Sequence, residues 1–183
     1  MSHTIYFPNE EENRVLLDWA ARRIPWLQPH AAMKALGVVE GPDLSHPLLA
    51  VCIYHGYVEP RVIDGKTWYG LCEISFAAAS PKWATRRTVS NLLRIPFLQY
   101  HCRKVTTVIP STNKRAIRFN EGIGLKPEGT LRHHFAKGVH ACIFGMLRTE
   151  FDKRWLDPAP SIRRATGQQA NEQRQERFQP TSA

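Results

Sequence analysis

From Ile74 to Asn120 the sequence carries no aspartate and no glutamate. The same stretch holds Lys82, Arg86, Arg87, Arg94, Arg103, Lys104, Lys114, Arg115 and Arg118, nine cations that match the formal net charge of +9. A local field of one sign points to an anionic partner, either a phosphorylated cofactor or nucleic acid, or else to a solvated basic face. Long apolar runs are also missing. No stretch approaches the roughly 18–20 apolar residues that cross a bilayer, so no membrane helix is expected. Glu10, Glu11, Glu12 and Asp18 argue against a secretory signal peptide, and a soluble, cytoplasmic protein is expected. The four cysteines, Cys52, Cys72, Cys102 and Cys142, form no C-x-x-C pair, which argues against a zinc site or a disulfide framework. They are expected as free thiols, largely buried.

With 183 residues, 43% hydrophobic and 22% charged, the chain has enough apolar material for one domain with a real core. That domain is expected over 1–156. Residues 157–183 are polar, rich in Gln, Arg and Ser, and read as a disordered tail, or alternatively as a helix over 171–178 that docks on a partner.

Asn9 and Glu12 have the spacing of a capping box, and Val15, Leu16, Trp19, Ala20 and Arg23 follow at helical spacing until Pro25. A short helix is expected over Ala31–Leu36, stopped by Gly37. Leu48–Tyr54 is a continuous apolar run and reads as a buried strand. Asp64-Gly65 marks a turn between strands, and Trp68–Ala78 reads as the next strand. Ser80-Pro81 is a fitting helix entrance, and the helix after it must kink at Pro96. Lys104–Ile109 is β-branched and strand-like. Asn113–Gly122 reads as a helix, and Gly129–Phe135 and Ala141–Leu147 as a hairpin around Lys137-Gly138. This order gives a mixed α/β domain.

The most specific pattern runs from Asn113 through Ala116, Phe119, Glu121, Gly124-Leu125 and Glu128-Gly129 to Leu131-Arg132. It resembles the signature of the GNAT N-acetyltransferase superfamily, in the branch that acetylates ribosomal-protein N-termini, with Leu125 where phenylalanine is usual. Leu71–Ala78 looks like the fourth strand of that fold and Ser80–Phe97 like the cofactor loop and helix after it. Tyr54-His55-Gly56-Tyr57 and Ser80–Arg87 are similar to GNAT proteins carried by phages and prophages. The resemblance implies a mostly antiparallel sheet, splayed between strands four and five and flanked by helices. It also implies acetyl-coenzyme A as donor, with its pantetheine arm along the free edge of strand four at Phe76, Ala77 and Ala78.

Coenzyme A carries a pyrophosphate, and a helix N-terminus offers free N–H groups to one. The resemblance therefore places the cofactor against Lys82, Trp83, Ala84, Thr85, Arg86 and Arg87, with Asn113, Arg115 and Phe119 on the next helix. The family loop pattern Q/R-x-x-G-x-G/A survives here only in Ala84; Ala79 and Lys82 replace two of its fixed positions. Transfer to an amine needs a base and oxyanion donors. Glu73, on the fourth strand, is the candidate base, and His55 and Tyr57 are candidates on the acceptor side, with His133 a weaker one. The acceptor is an amine of a protein or a small molecule. Two alternatives share the fold: a phage-type enzyme modifying DNA bases through the basic 82–118 stretch, and a catalytically inactive protein-binding factor. Oligomeric state is not fixed by the sequence; a homodimer is one arrangement it allows.

Overall fold

A computed structural model describes residues 3–68 and 70–156. The expectations for 157–183, both the disordered tail and the docking helix, lie outside the described residues. Among the described residues nine strands and four α-helices follow in the order β1 (Thr4–Tyr6), α1 (Glu10–Ala21), β2 (Lys34–Val39), β3 (Leu48–Val58), β4 (Arg61–Ile63), β5 (Lys66–Trp68), β6 (Leu71–Ala78), α2 (Arg86–Arg94), β7 (Lys104–Pro110), α3 (Lys114–Ile123), β8 (Lys126–Ala136), β9 (Val139–Leu147) and α4 (Arg148–Trp155). Seven strands form one sheet in the order β1-β2-β3-β6-β7-β9-β8, and β4-β5 is a separate hairpin turning on Asp64-Gly65. All neighbouring pairs of the large sheet are antiparallel except β6 with β7. The strands that the resemblance numbers four and five correspond to β6 and β7, because β4-β5 lies outside the large sheet.

Alternation along β3 divides the core. Val51 and Ile53 face α1 with Leu16, Leu17, Ala20 and Ala77. Cys52 and Tyr54 face the other side, where Leu92 and Leu93 of α2, Ile123 of α3 and Phe151 and Trp155 of α4 pack. The capping box at Asn9 and Glu12 is formed, with both reciprocal bonds present. Cys52, Cys72 and Cys102 are buried thiols and Cys142 is half-buried. Burial, against a smaller opposing hydrogen bond from Tyr54, pushes the Cys52 thiol up to about 12, so it is inert at neutral pH.

Three expectations need correction. Ala31–Leu36 is not a helix: Lys34–Val39 is strand β2, buried between β1 and β3 from Ala35 onward, and Gly37 lies inside it. Good helix formers yield here to pairing on both sides. The strand expected over Trp68–Ala78 is two strands: Trp68 ends β5, and β6 starts at Leu71. The helix expected to open at Ser80-Pro81 also divides. Ser80 caps one 3₁₀ turn, Pro81–Trp83, and α2 starts at Arg86 with Thr85 as its cap. Pro96 does what its missing N–H requires: α2 gives way to a π-turn over Ile95–Gln99.

Candidate active site

β6 and β7 part company almost at once. They pair at Leu71 with Lys104, Cys72 with Val105 and Glu73 with Thr106, and no further. From Ile74 to Ala78, β6 keeps β3 on one side and has no strand on the other. The cleft so opened has a volume of about 350 Å³. Its walls are Ile74–Ala78 of β6, Thr107–Pro110 of β7, the 3₁₀ turn, and Asn113, Arg115, Ala116, Phe119 and Asn120 of α3.

Aromatic rings fill one side of the wedge. Phe76 stacks on Trp83 at 5.3 Å between ring centroids, and Phe119 meets both, at 5.5 and 5.3 Å. Trp83 is 4% exposed. Buried Asn120 ties α3 to β7, accepting from the Thr107 hydroxyl at 3.1 Å and donating to the Ala116 carbonyl at 2.8 Å. Asn113 caps α3 through the Ala116 N–H. At α2, the Thr85 side chain accepts from the Thr88 N–H, and the helix geometry leaves the N–H groups of Arg86 and Arg87 without an intrahelical acceptor.

At the closed end of the cleft lies Glu73. Its carboxylate is 3.7 Å from His55 Nε2 on β3, and the same nitrogen is 3.0 Å from the Ser75 hydroxyl. Burial raises the Glu73 carboxyl above its ordinary range, against a weaker opposing pull from His134. Burial, with a smaller contribution from His30, lowers His55 and favours its neutral form at neutral pH. A carboxylate with a raised pKa beside a neutral imidazole and a hydroxyl is a proton-accepting arrangement.

The residues singled out from the sequence divide into two sets. Phe76, Ala77, Ala78, Trp83, Ala84, Asn113, Arg115 and Phe119 line the cleft; Glu73 is the last β6 residue paired with β7, and His55, on β3, lies 3.7 Å from its carboxylate. The others do not. Lys82 is exposed outside the lining. The Arg86 guanidinium donates to the Arg154 carbonyl at 2.9 Å and lies 5.0 Å over the Trp155 ring, which fastens α4 to α2. Thr85 and Arg87 line a different hollow, against β1. Tyr57 sits away from Glu73: a bulge after His55, with Gly56 at φ +56°, turns its ring onto Tyr100 and its hydroxyl to the Tyr100 carbonyl at 3.3 Å. His133 braces a bulge, where its Nδ1 accepts from the Gly138 N–H.

Sequence reasoning missed Ser75, Thr107, Asn120, Trp26, His30 and His134. Ser75 was within reach, since it lies two residues from Glu73 on a strand and so on the same face. Trp26 comes from an irregular segment whose path no local pattern announces, and His134 lies on the expected strand but at a bulge that the pattern does not give.

No protein-family model matches the sequence, and no curated protein does. Solved structures do. Mutant forms of the spermidine/spermine N-acetyltransferase SpeG from Vibrio cholerae superpose with a TM-score of 0.61 at 15% identity, covering 84% of this chain and 99% of that one. The ribosomal-protein-S5-alanine acetyltransferase of Vibrio fischeri gives 0.59 at 9%, covering 82% and 96%. The V. cholerae spermidine N-acetyltransferase in complex with CoA and spermine gives 0.58 at 14%, covering 81% and 97%. At such identities the likeness is one of architecture, and in architecture the splayed sheet and its flanking helices have the fold of the GNAT N-acetyltransferases.

Proposed function

We propose that this chain is an N-acetyltransferase that takes its acetyl group from acetyl-coenzyme A and delivers it to an amine. The observation that carries this is the cleft between β6 and β7, open along the free edge of β6 and ending at Glu73. Bound acetyl-coenzyme A supplies an activated acetyl group, which the amine nitrogen takes up as the bond to sulfur breaks and the thiol is released.

The chain's own groups fit that donor. The unpaired backbone of Ile74–Ala78 offers N–H and C=O groups to an amide-bearing arm, as an edge strand does to a peptide. The first-turn N–H groups of α2 and the Arg115 guanidinium are suited to phosphate. Glu73 takes a proton from the incoming ammonium, and the raised pKa that burial gives it brings it closer to the amine in proton affinity. His55, whose Nε2 is anchored by the Ser75 hydroxyl and lies 3.7 Å from that carboxylate, offers a route for the proton to solvent.

The basic stretch gives less support to a nucleic-acid target, because it does not form one surface. Lys104 is paired with Glu128 at 2.6 Å, Arg86 is fastened to α4, Arg115 is in the cleft, and Arg87 and Arg94 line the hollow beside β1. Added acetyl-coenzyme A is expected to raise the melting temperature by mass action. No shift at millimolar donor would refute the enzyme reading and leave the inactive binding factor.

A further inference from the structure

The acceptor end of the cleft has a built roof. Between the pairs Leu131 with Ala141 and Ala136 with Val139, β8 advances five residues while β9 advances two. The surplus bulges out of the ladder, with His133 at φ +54°. Hydrogen bonds brace it: the His133 N–H donates to His140 Nδ1 at 3.0 Å, the Gly138 N–H to His133 Nδ1 at 2.8 Å, and the His140 N–H to the Ser111 hydroxyl at 3.3 Å. Bulges re-aim side chains. Here the bulge carries Phe135 onto Trp26, in the segment after α1, with ring centroids 4.7 Å apart. His134 stands edge-on to Phe135 at 4.9 Å and is close enough to Glu73 to act on its charge. Trp26 is 44% exposed and lines the mouth of the cleft with Arg23 and Ile24. An indole that exposed, held against a phenylalanine at the entrance, is a surface for a flat apolar group.

Charge limits the acceptor further. Among the described residues the cleft lining contains no aspartate or glutamate, with Arg23 and Arg115 its charged members, so the carboxylate placed to meet an ammonium is Glu73, where β6 and β7 part. His55 stands 3.7 Å from it, and His134, on the bulge, acts on its charge. The neighbouring hollow over α1 balances Glu10 and Asp18 with Arg14 and Lys34. A chain of several ammonium groups would find one carboxylate and then cations or neutral balance.

We propose that the acceptor is a monoamine bearing an aromatic or similarly flat apolar group, gripped at Trp26 and Phe135, and not a polyamine. This rests on the acetyltransferase reading, and the test separates the two. Protein saturated with coenzyme A is titrated with tryptamine, n-butylamine or spermidine, following the melting temperature, and each amine is then assayed with acetyl-coenzyme A. Tryptamine is expected to give the largest shift and the highest kcat/KM. Trp26→Ala is expected to raise KM for tryptamine about tenfold and KM for butylamine by clearly less, and Trp26→Phe to restore most of the loss. A spermidine shift or rate equal to or above that of tryptamine overturns the proposal, as does no shift with tryptamine, or a Trp26→Ala effect equal for all three amines. Absence of a shift with acetyl-coenzyme A itself refutes the underlying activity instead.

Discussion

Replacing Glu73 by glutamine removes one proton-accepting oxygen and almost no volume, which isolates its chemistry. A positioned general base contributes about 10²–10⁴ in rate, or about 2.7–5.4 kcal/mol of barrier. The side chain is 31% exposed and its nearest basic neighbour is the His55 imidazole at 3.7 Å. With so few partners, Glu73→Gln should leave acetyl-coenzyme A affinity within about twofold, because the cofactor walls lie further along the cleft. Stability gives an independent check. Burial raises the Glu73 pKa, so the fold favours the protonated carboxyl; that contribution is present at low pH and is lost as pH rises through the folded-state pKa. The neutral amide escapes this loss, and Glu73→Gln should melt no lower than the parent at neutral pH. The acid limb of kcat/KM, expected above the ordinary carboxylate range, should vanish. Initial rates over a pH series, paired with calorimetric titration of the donor, decide it. An unchanged rate, or a parallel loss of donor affinity, refutes the role given to Glu73.

Arg115→Ala should weaken acetyl-coenzyme A binding about tenfold and Arg86→Ala by less than about twofold, since only Arg115 lines the cleft; calorimetry giving the opposite order would return the phosphates to Arg86. Gly124 caps α3 at φ +102°, and a Cβ there would lie 2.7 Å from Arg154 Cδ, so Gly124→Ala should cost about 1–2 kcal/mol and lower the melting temperature by about 2–8 °C. His55 has a lowered pKa, so its contribution to stability is present above the unfolded value and is lost as pH falls through the folded one; His55→Gln should flatten the decline of melting temperature below about pH 6.5.

Elements whose formation is local were legible in the sequence. The Asn9 capping box, the Asp64-Gly65 hairpin and the break of α2 at Pro96 each follow from one or two residues with a fixed conformational preference. The strands along the cleft, β6 and β7, were legible from apolar and β-branched runs. What failed depends on partners distant in sequence. Ala35, Leu36 and their neighbours form β2 because β1 and β3 lie on either side. Helix α4 has a weak apolar face, and it holds through Phe151 stacked on Phe97 and the Trp155 indole donating to the Ile123 carbonyl. Of the arginines at the start of α2, which the resemblance sets beside the phosphates, Arg86 reaches α4 and Arg87 the β1 side, because consecutive residues on a helix point about 100° apart.

The turn before α2 shows how the cleft is held open without the glycines that the family pattern carries there. Glycine lets backbone approach a phosphate closely, at the cost of the entropy lost in ordering it. This chain has Pro81, Lys82 and Trp83 instead; Pro81 removes freedom from the unfolded loop and Trp83 anchors the folded one. Pro81 fixes one torsion at the head of the 3₁₀ turn, and Thr85 restarts the backbone as an α-helix. Trp83 sets its indole against both Phe76 of β6 and Phe119 of α3, so the loop, the diverging strand and the helix behind the other wall share one packed contact. Three rings at that spacing resist closure of the wedge, because bringing β6 against β7 would require expelling an indole that is almost fully buried. The separation of β6 and β7 is therefore a property of the packed core, present before any ligand arrives, and the binding energy of a donor is not consumed in opening it.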